Sequence, residues 1–274
     1  MEFILDRLYG KNSKYIYIIL EMKTNVIIHI FNEQYLLPFW LEHHSKIFDH
    51  GVIIDYRSTD ASLEICKKIC PTWTIITSRN EYFDSRYIDT EVMDIENQLI
   101  GIKMSLNVTE FLFLNKPIKE IFKGYQNTNA CFAVNSNTPY LNIDTNPTNI
   151  QDLIQMLSNN NIKYLKNNRP GDTGFRYIHN YSNGNYSIGR HSTGHNKILT
   201  EDLQIVWLGY FPWNQYMIKR KMQIKNNMPE YDKEIGAGIQ HLYSLETMEE
   251  KRREGYLHGT ELKEINIHLY NILK

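Results

Sequence analysis

The sequence predicts an α/β protein built on a mostly parallel sheet flanked by helices. Three observations predict it. "NVIIHIF" (25–31) and "GVIID" (51–55) are short runs dense in β-branched residues, the mark of buried strands. The segments after them carry one apolar face at helical spacing. A further run, "TWTIITS" (72–78), then completes a strand–helix–strand–helix–strand order.

Each element has its own warrant. In "EQYLLPFWLEHHSK", Leu36, Leu37, Trp40 and Leu41 share a helix face, and Pro38 falls early enough to be tolerated. "STDASLEICKKIC" opens with capping residues and places Leu63, Cys66, Ile69 and Cys70 on one side; Pro71 ends it. Residues 102–114 read as strand then turn, and "ACFAVN" (130–135) as another strand. Behind a capping Thr148, Ile150, Leu153, Ile154 and Leu157 follow i, i+3, i+4, i+7 spacing. Residues 168–197 are polar, Gly-rich and aromatic, which suits a functional loop. "LQIVWLGYF" reads as a last strand, and two helical stretches give a helical C-terminal portion. No repeat or linker divides the chain. We expect one domain in two halves, 1–115 binding the ligand and 116–274 closing the site.

Bulk properties exclude several classes. The 274 residues suffice for a sizeable core, and 42% hydrophobic with 22% charged is ordinary for a globular protein. A net charge of -1 gives no support for nucleic-acid binding. Three cysteines make no disulfide framework and point to a reducing, cytoplasmic setting. No apolar run is long enough to span a bilayer, and Asp6 and Glu21 interrupt the N-terminal apolar patches against a signal-peptide reading.

The polar residues at the strand ends carry the functional reading. In an open parallel sheet, ligands sit beyond the carboxyl ends of the strands. Asn32-Glu33 and Asp55 fall at two such ends. A carboxylate there can accept from a pyrimidine N–H or ribose hydroxyls, and Ser58-Thr59 at the next helix start can meet phosphate oxygens. These are parts of a nucleotide pocket; with no G-x-G-x-x-G and no Walker sequence, a dinucleotide site or P-loop is not expected. "FNEQYLLPFWLEHHSKIFDHGVIIDYRSTDAS" resembles the N-terminal half of family 2-like glycosyltransferases of the GT-A fold. The match is carried by Asn32, Glu33, Leu37, Trp40, His43 or His44, Asp55, Ser58, Thr59 and Asp60. The resemblance implies a transferase of the hexosyltransferase type. It would use a nucleotide-diphosphate sugar, UDP-linked in the expected case, and a glycan or protein acceptor. The family carries Gly where this chain has Arg57, a side chain that can reach a phosphate or point to water.

One departure matters. Such enzymes carry a D-x-D motif whose carboxylates hold Mn2+ or Mg2+ on the diphosphate. Here the stretch is "LNVTEFL": Asn107 and Thr109 stand in place of the two aspartates, and only Glu110 and Phe111 keep the pattern. Three arrangements follow. Glu110 holds a metal with help from the diphosphate; cationic side chains replace the metal; or the chain is an inactive, transferase-like carbohydrate-binding or scaffolding protein. Arg190, within "IGRHSTGH", is the preferred cation, with Arg176 and "KRK" (219–221) as further candidates; for "KRK" a solvated helix face is the favoured reading. For the base that takes the acceptor proton, Asp232 beside Gly236 and Gly238 is the choice, and Glu96 the second. Of His179, His191, His195 and His241, the pair His191 and His241 best suits a place by the metal. Trp207, Tyr210, Phe211 and Trp213 form an aromatic cluster, core by default and a sugar platform otherwise.

Overall fold

The computed structural model describes residues 22–166 and 175–274; the N-terminal patches read above, and the start of the 168–197 loop, lie outside the described residues. The first part of the chain alternates strand and helix: β1 (Thr24–Ile30), α1 (Leu37–His44), β2 (His50–Asp55), α2 (Ser62–Ile69), β3 (Thr74–Thr77), α3 (Ile88–Glu96) and β4 (Ile102–Leu106). Then come β5 (Glu110–Leu114), α4 (Ile118–Ile121), β6 (Cys131–Tyr140), α5 (Ile150–Leu157), β7 (Lys163–Lys166), β8 (Arg176–His179) and β9 (Ile198–Trp207). Helices close the chain: α6 (Gln215–Gln223), α7 (Glu230–Glu234), α8 (Leu245–His258), α9 (Leu262–Ile265) and α10 (Ile267–Leu273).

All strands among the described residues belong to one mixed sheet in the order β3-β2-β1-β4-β8-β6-β9-β5, with β7 paired to β6. The first four positions are parallel, a Rossmann-like half. Beyond β4 the sheet turns antiparallel at β8, β6 and β5, with β6 and β9 parallel to each other. The parallel half is covered on both faces, which explains its unbroken apolar strands. Val26, Ile28 and Ile30 pack toward Leu37, Trp40 and Cys66 of α1 and α2. Ile27, Val52 and Ile54 pack on the other side against Val92 of α3. Cys66, Cys70 and Cys131 are free and buried.

Residues 102–114 are two strands, not a strand and a turn, because the 107–110 turn sends the chain back as β5 to pair with β9. Asn149, not Thr148, caps α5: its side chain accepts from the Asp152 N–H, while Thr148 donates to the Asp152 carboxylate. The last strand begins earlier than expected, at Ile198. In α6 the "KRK" segment is not a solvated face: Arg220 and Lys221 are buried with Met217. Residues 217, 220 and 221 fall at i, i+3 and i+4, one side of a helix.

Candidate active site

A cavity of about 480 Å³ opens at the carboxyl ends of β1 and β4, walled by β1, α3, the 107–110 turn, residues 188–191, α6 and the 237–241 segment. Its first fixed part is the turn between β4 and β5. The Glu110 N–H donates to the Asn107 carbonyl at 2.8 Å, and the Glu110 Oε2 accepts from the Asn107 N–H at 2.7 Å. Helix α1 holds this turn from behind. The Trp40 indole donates to the Glu110 carbonyl at 2.9 Å, and His44 Nε2 accepts from the Leu112 N–H at 3.1 Å. His44 Nδ1 meets the Trp40 carbonyl, so the ring serves as a neutral bridge, and burial holds it well below its usual pKa. Thr109 accepts from the Trp207 indole at 3.1 Å, tying the turn to β9.

Three arginines then meet three acids in the wall. Arg220 on α6 grips Glu33 at two points, Nε to Oε2 at 2.5 Å and a terminal nitrogen to Oε1 at 2.6 Å. Arg176 on β8 meets Glu110 Oε1 through Nε at 2.8 Å and a terminal nitrogen at 2.7 Å. Arg190 bonds Asp89 on α3 and donates to Asn107 Oδ1 at 2.9 Å; Asp89 also accepts from the Gly189 N–H. Burial raises the Glu33 carboxyl above its ordinary value, against the opposing charge and hydrogen bonds of Arg220. Lys221 has no such acid among the described residues: its ammonium donates to the Gly209 carbonyl at 3.0 Å and lies 4.6 Å from the centre of the Tyr210 ring. Burial, and then Arg220, hold it down to about 7.

The sequence-derived residues separate by place. Glu33, Asn107, Thr109, Glu110, Arg190, His191, Asp232 and His241 all line the cavity. Asn32 and Asp60 line a second, open depression on the other side of Arg220, which belongs to both walls. Asp55, Arg57 and Ser58 line neither. Asp55 is 4% exposed and accepts from the Ser58 N–H at 3.0 Å; Ser58 Oγ in turn accepts from the Asn32 N–H. These two residues therefore brace the Asn32 turn. Arg57 does not extend toward a ligand: it donates to the carbonyls of Asn80 and Ser78. Its φ of 62° is a left-handed backbone, the conformation that favours glycine over any other residue. Asn32 and Arg190 share that conformation, at φ 53° and 55°, and backbone strain of this kind gathers at functional sites.

Glu96 is a correction. It is fully buried behind the cavity, where it accepts from the Gly184 N–H and the Tyr186 hydroxyl, and no substrate proton reaches it. Asp232 stays on the wall, with one oxygen accepting from the Ser85 N–H at 2.8 Å and the other from its hydroxyl at 2.7 Å. Tyr210, Phe211 and Trp213 are core, whereas Trp207 faces the cavity.

The residues expected to hold Mn2+ or Mg2+ do not fit a divalent ion. Glu110 is engaged by Arg176 and by its own turn. His191 Nδ1 lies 3.0 Å from the same guanidinium. His241 has Lys221 and Arg220 near enough for their charges to act on it, and they oppose a cation placed there. Each candidate ligand thus has a fixed cation beside it. Unit charges 4 Å apart near a surface interact by about 4 kcal/mol, so the pull of Glu110 on a dication is cancelled by the push of Arg176. No group of three or more His, Cys, Asp or Glu suited to a metal exists among the described residues.

Sequence reasoning missed His29 and Asp89, and it favoured a solvated face for Arg220 and Lys221, which it had named only as candidate cations. Asp89 sits in the first turn of a helix that carried no clear capping signal. His29 interrupts an apolar strand, and its imidazole, lowered well below its usual pKa by burial and by Arg190 and Arg176, lies in the cavity wall.

The fold and site define an α/β protein with an arginine-rich cavity at the switch from parallel to antiparallel strands. No protein-family model and no curated protein matches the sequence. Among solved structures, the mannosyltransferase PcManGT from Pyrobaculum calidifontis in complex with GDP-Man and Mn2+ is similar at 12% identity and TM-score 0.43. That match covers 92% of this chain and 70% of its own. TarS 1-349 of S. aureus in complex with UDP-GlcNAc is similar at 16% identity and TM-score 0.34, over 46% of this chain. The match spans 37% of that TarS chain. HddC from Yersinia pseudotuberculosis is similar at 9% identity and TM-score 0.34, over 57% of this chain and 76% of its own. No described helix is long and apolar enough to cross a membrane.

Proposed function

We propose that this chain is a GT-A glycosyltransferase that takes a nucleotide-diphosphate sugar, UDP-linked, and passes its sugar to a glycan or protein acceptor. The observation that carries the reading is the meeting of the β1-end Glu33 and the degenerate Asn107–Glu110 turn in one cavity at the carboxyl ends of adjacent parallel strands. Those are the two sequence segments on which the family resemblance and its departure rest. In this reading the diphosphate and sugar occupy the cavity, and the Asn32–Asp60 depression receives the nucleoside. Asp232 is the base for the acceptor hydroxyl. Ser85 fills two of the roughly four lone-pair sites of that carboxylate, which leaves others for a ligand.

The test is turnover of UDP-sugars with calorimetric binding of UDP. D232N is expected to keep UDP affinity and lose turnover. Full turnover by D232N removes the base assignment, and absence of binding by both UDP and GDP removes the functional reading. One observation favours a second reading, a non-catalytic carbohydrate-binding protein: Asp232 is already tied to Ser85, and Glu96 is sealed away. Stabilisation by free glycans without any response to nucleotides decides for that reading.

A further inference from the structure

We infer that the cavity binds the diphosphate of its ligand directly on fixed cations, with Lys221 as the main counter-charge and no divalent ion between. The inference rests on the nucleotide-sugar reading and deepens it.

The charge pattern of the wall is the first ground. Arg176, Arg190 and Arg220 each have a carboxylate partner, so these three pairs add little net charge. Lys221 is 5% exposed and has a carbonyl and a ring face as its partners. A buried ammonium without an anion is costly, and it is relieved by an anion brought from outside. The second ground is independent of charge. Among the described residues, three that line the cavity hold buried polar atoms without a hydrogen-bond partner: His29 Nδ1, Arg190 Nε and His241 Nδ1. Buried polar groups are nearly always paired, so three unpaired atoms on residues of one wall are a cost that rearrangement around a polar ligand can relieve. The third ground is the misfit of a dication described above, since the candidate ligands already face guanidinium or ammonium groups.

The groups around Lys221 support the assignment. Arg220 precedes it on α6, His241 faces it from the C-terminal segment, and Tyr210 lies beneath it. None of these neutralises it, while a diphosphate does.

The experiment is calorimetric titration of the full chain with UDP, GDP and inorganic pyrophosphate, first in EDTA and then with Mn2+ or Mg2+. The expected result is saturable binding of at least one nucleoside diphosphate in EDTA, changed less than about twofold by either metal. K221M is expected to weaken it by about ten- to a hundredfold, the range for losing one charge-assisted bond. Binding that requires the metal overturns the inference and leaves the nucleotide-sugar reading standing. Binding by folded K221M as tight as by the parent protein also overturns it. No binding of any nucleoside diphosphate under either condition overturns the functional reading itself. Should K221M fail to fold, comparison of the EDTA and metal titrations of the parent chain decides the matter alone.

Discussion

Glu33 and Arg220 stand 187 positions apart in the chain and meet in a two-point ion pair. The pair joins the end of β1 to α6 and sits between the cavity and the open depression. Removing one partner leaves the other charged and buried. E33A or R220A is expected to cost about 3–5 kcal/mol, whereas E33M/R220M costs far less than the sum. A denaturant double-mutant cycle checks this, and additive losses below about 1 kcal/mol each contradict it.

Lys221 makes a signed prediction with pH. Its folded pKa is about 7, and an unfolded lysine titrates near 10.4. Between these values the unfolded chain binds the extra proton, so the lysine's cost is full below pH 7 and disappears as pH rises toward 10. His241, at about 3, and Tyr210, at about 12, stay neutral across that window. The unfolding free energy of the parent protein minus that of K221M is expected to rise by a few kcal/mol between pH 7 and 10. A flat difference there contradicts the buried ammonium.

Arg57 tests the left-handed turn. R57G removes two hydrogen bonds to carbonyls and relieves a backbone penalty of about 1–2 kcal/mol. The two effects oppose each other, so stability is expected to change by less than about 1 kcal/mol, with UDP affinity unchanged. R57V, β-branched at φ 62°, is expected to be clearly worse than R57G. Equal unfolding midpoints for the two variants contradict the strain argument.

Gly209 bears on the cavity wall. A Cβ there would lie 2.5 Å from the Trp207 ring, whose indole nitrogen bonds Thr109. G209A is expected to push the ring aside, cost about 1–3 kcal/mol and weaken ligand binding. Unfolding and calorimetry together check it, and a variant indistinguishable from the parent in both removes Trp207 from the wall's design.

The parallel half of the sheet was legible because its strands are continuous apolar runs and its helices have one apolar face, both local signals. The residues of the 107–110 turn came instead from the family resemblance, as the place of its D-x-D motif. What the sequence concealed was pairing at long range. Nothing near Glu110 announces Arg176, and nothing near Asp89 announces Arg190, since these partners meet only after β8 and the 188–191 segment fold back onto the sheet. For that reason Glu110 read as a metal ligand and "KRK" as solvated surface. A local cue to the latter existed: Met217 with 220, 221 and 224 makes a helical stripe, and two basic residues on a buried stripe mark a site.

The three arginine–acid pairs each join a residue before position 111 to one after position 175. The early segment can therefore collapse its apolar layers while the later one is still being synthesised, but it holds three acids awaiting their counter-ions. A proteolytic nick between β9 and α6 that releases the downstream piece would strand Glu33 without its cation while sparing most of the sheet. Because Met217, Met248, Leu262, Leu269 and Leu273 of that piece also belong to the main core, such a fragment is expected to lose the cavity and much of its stability together.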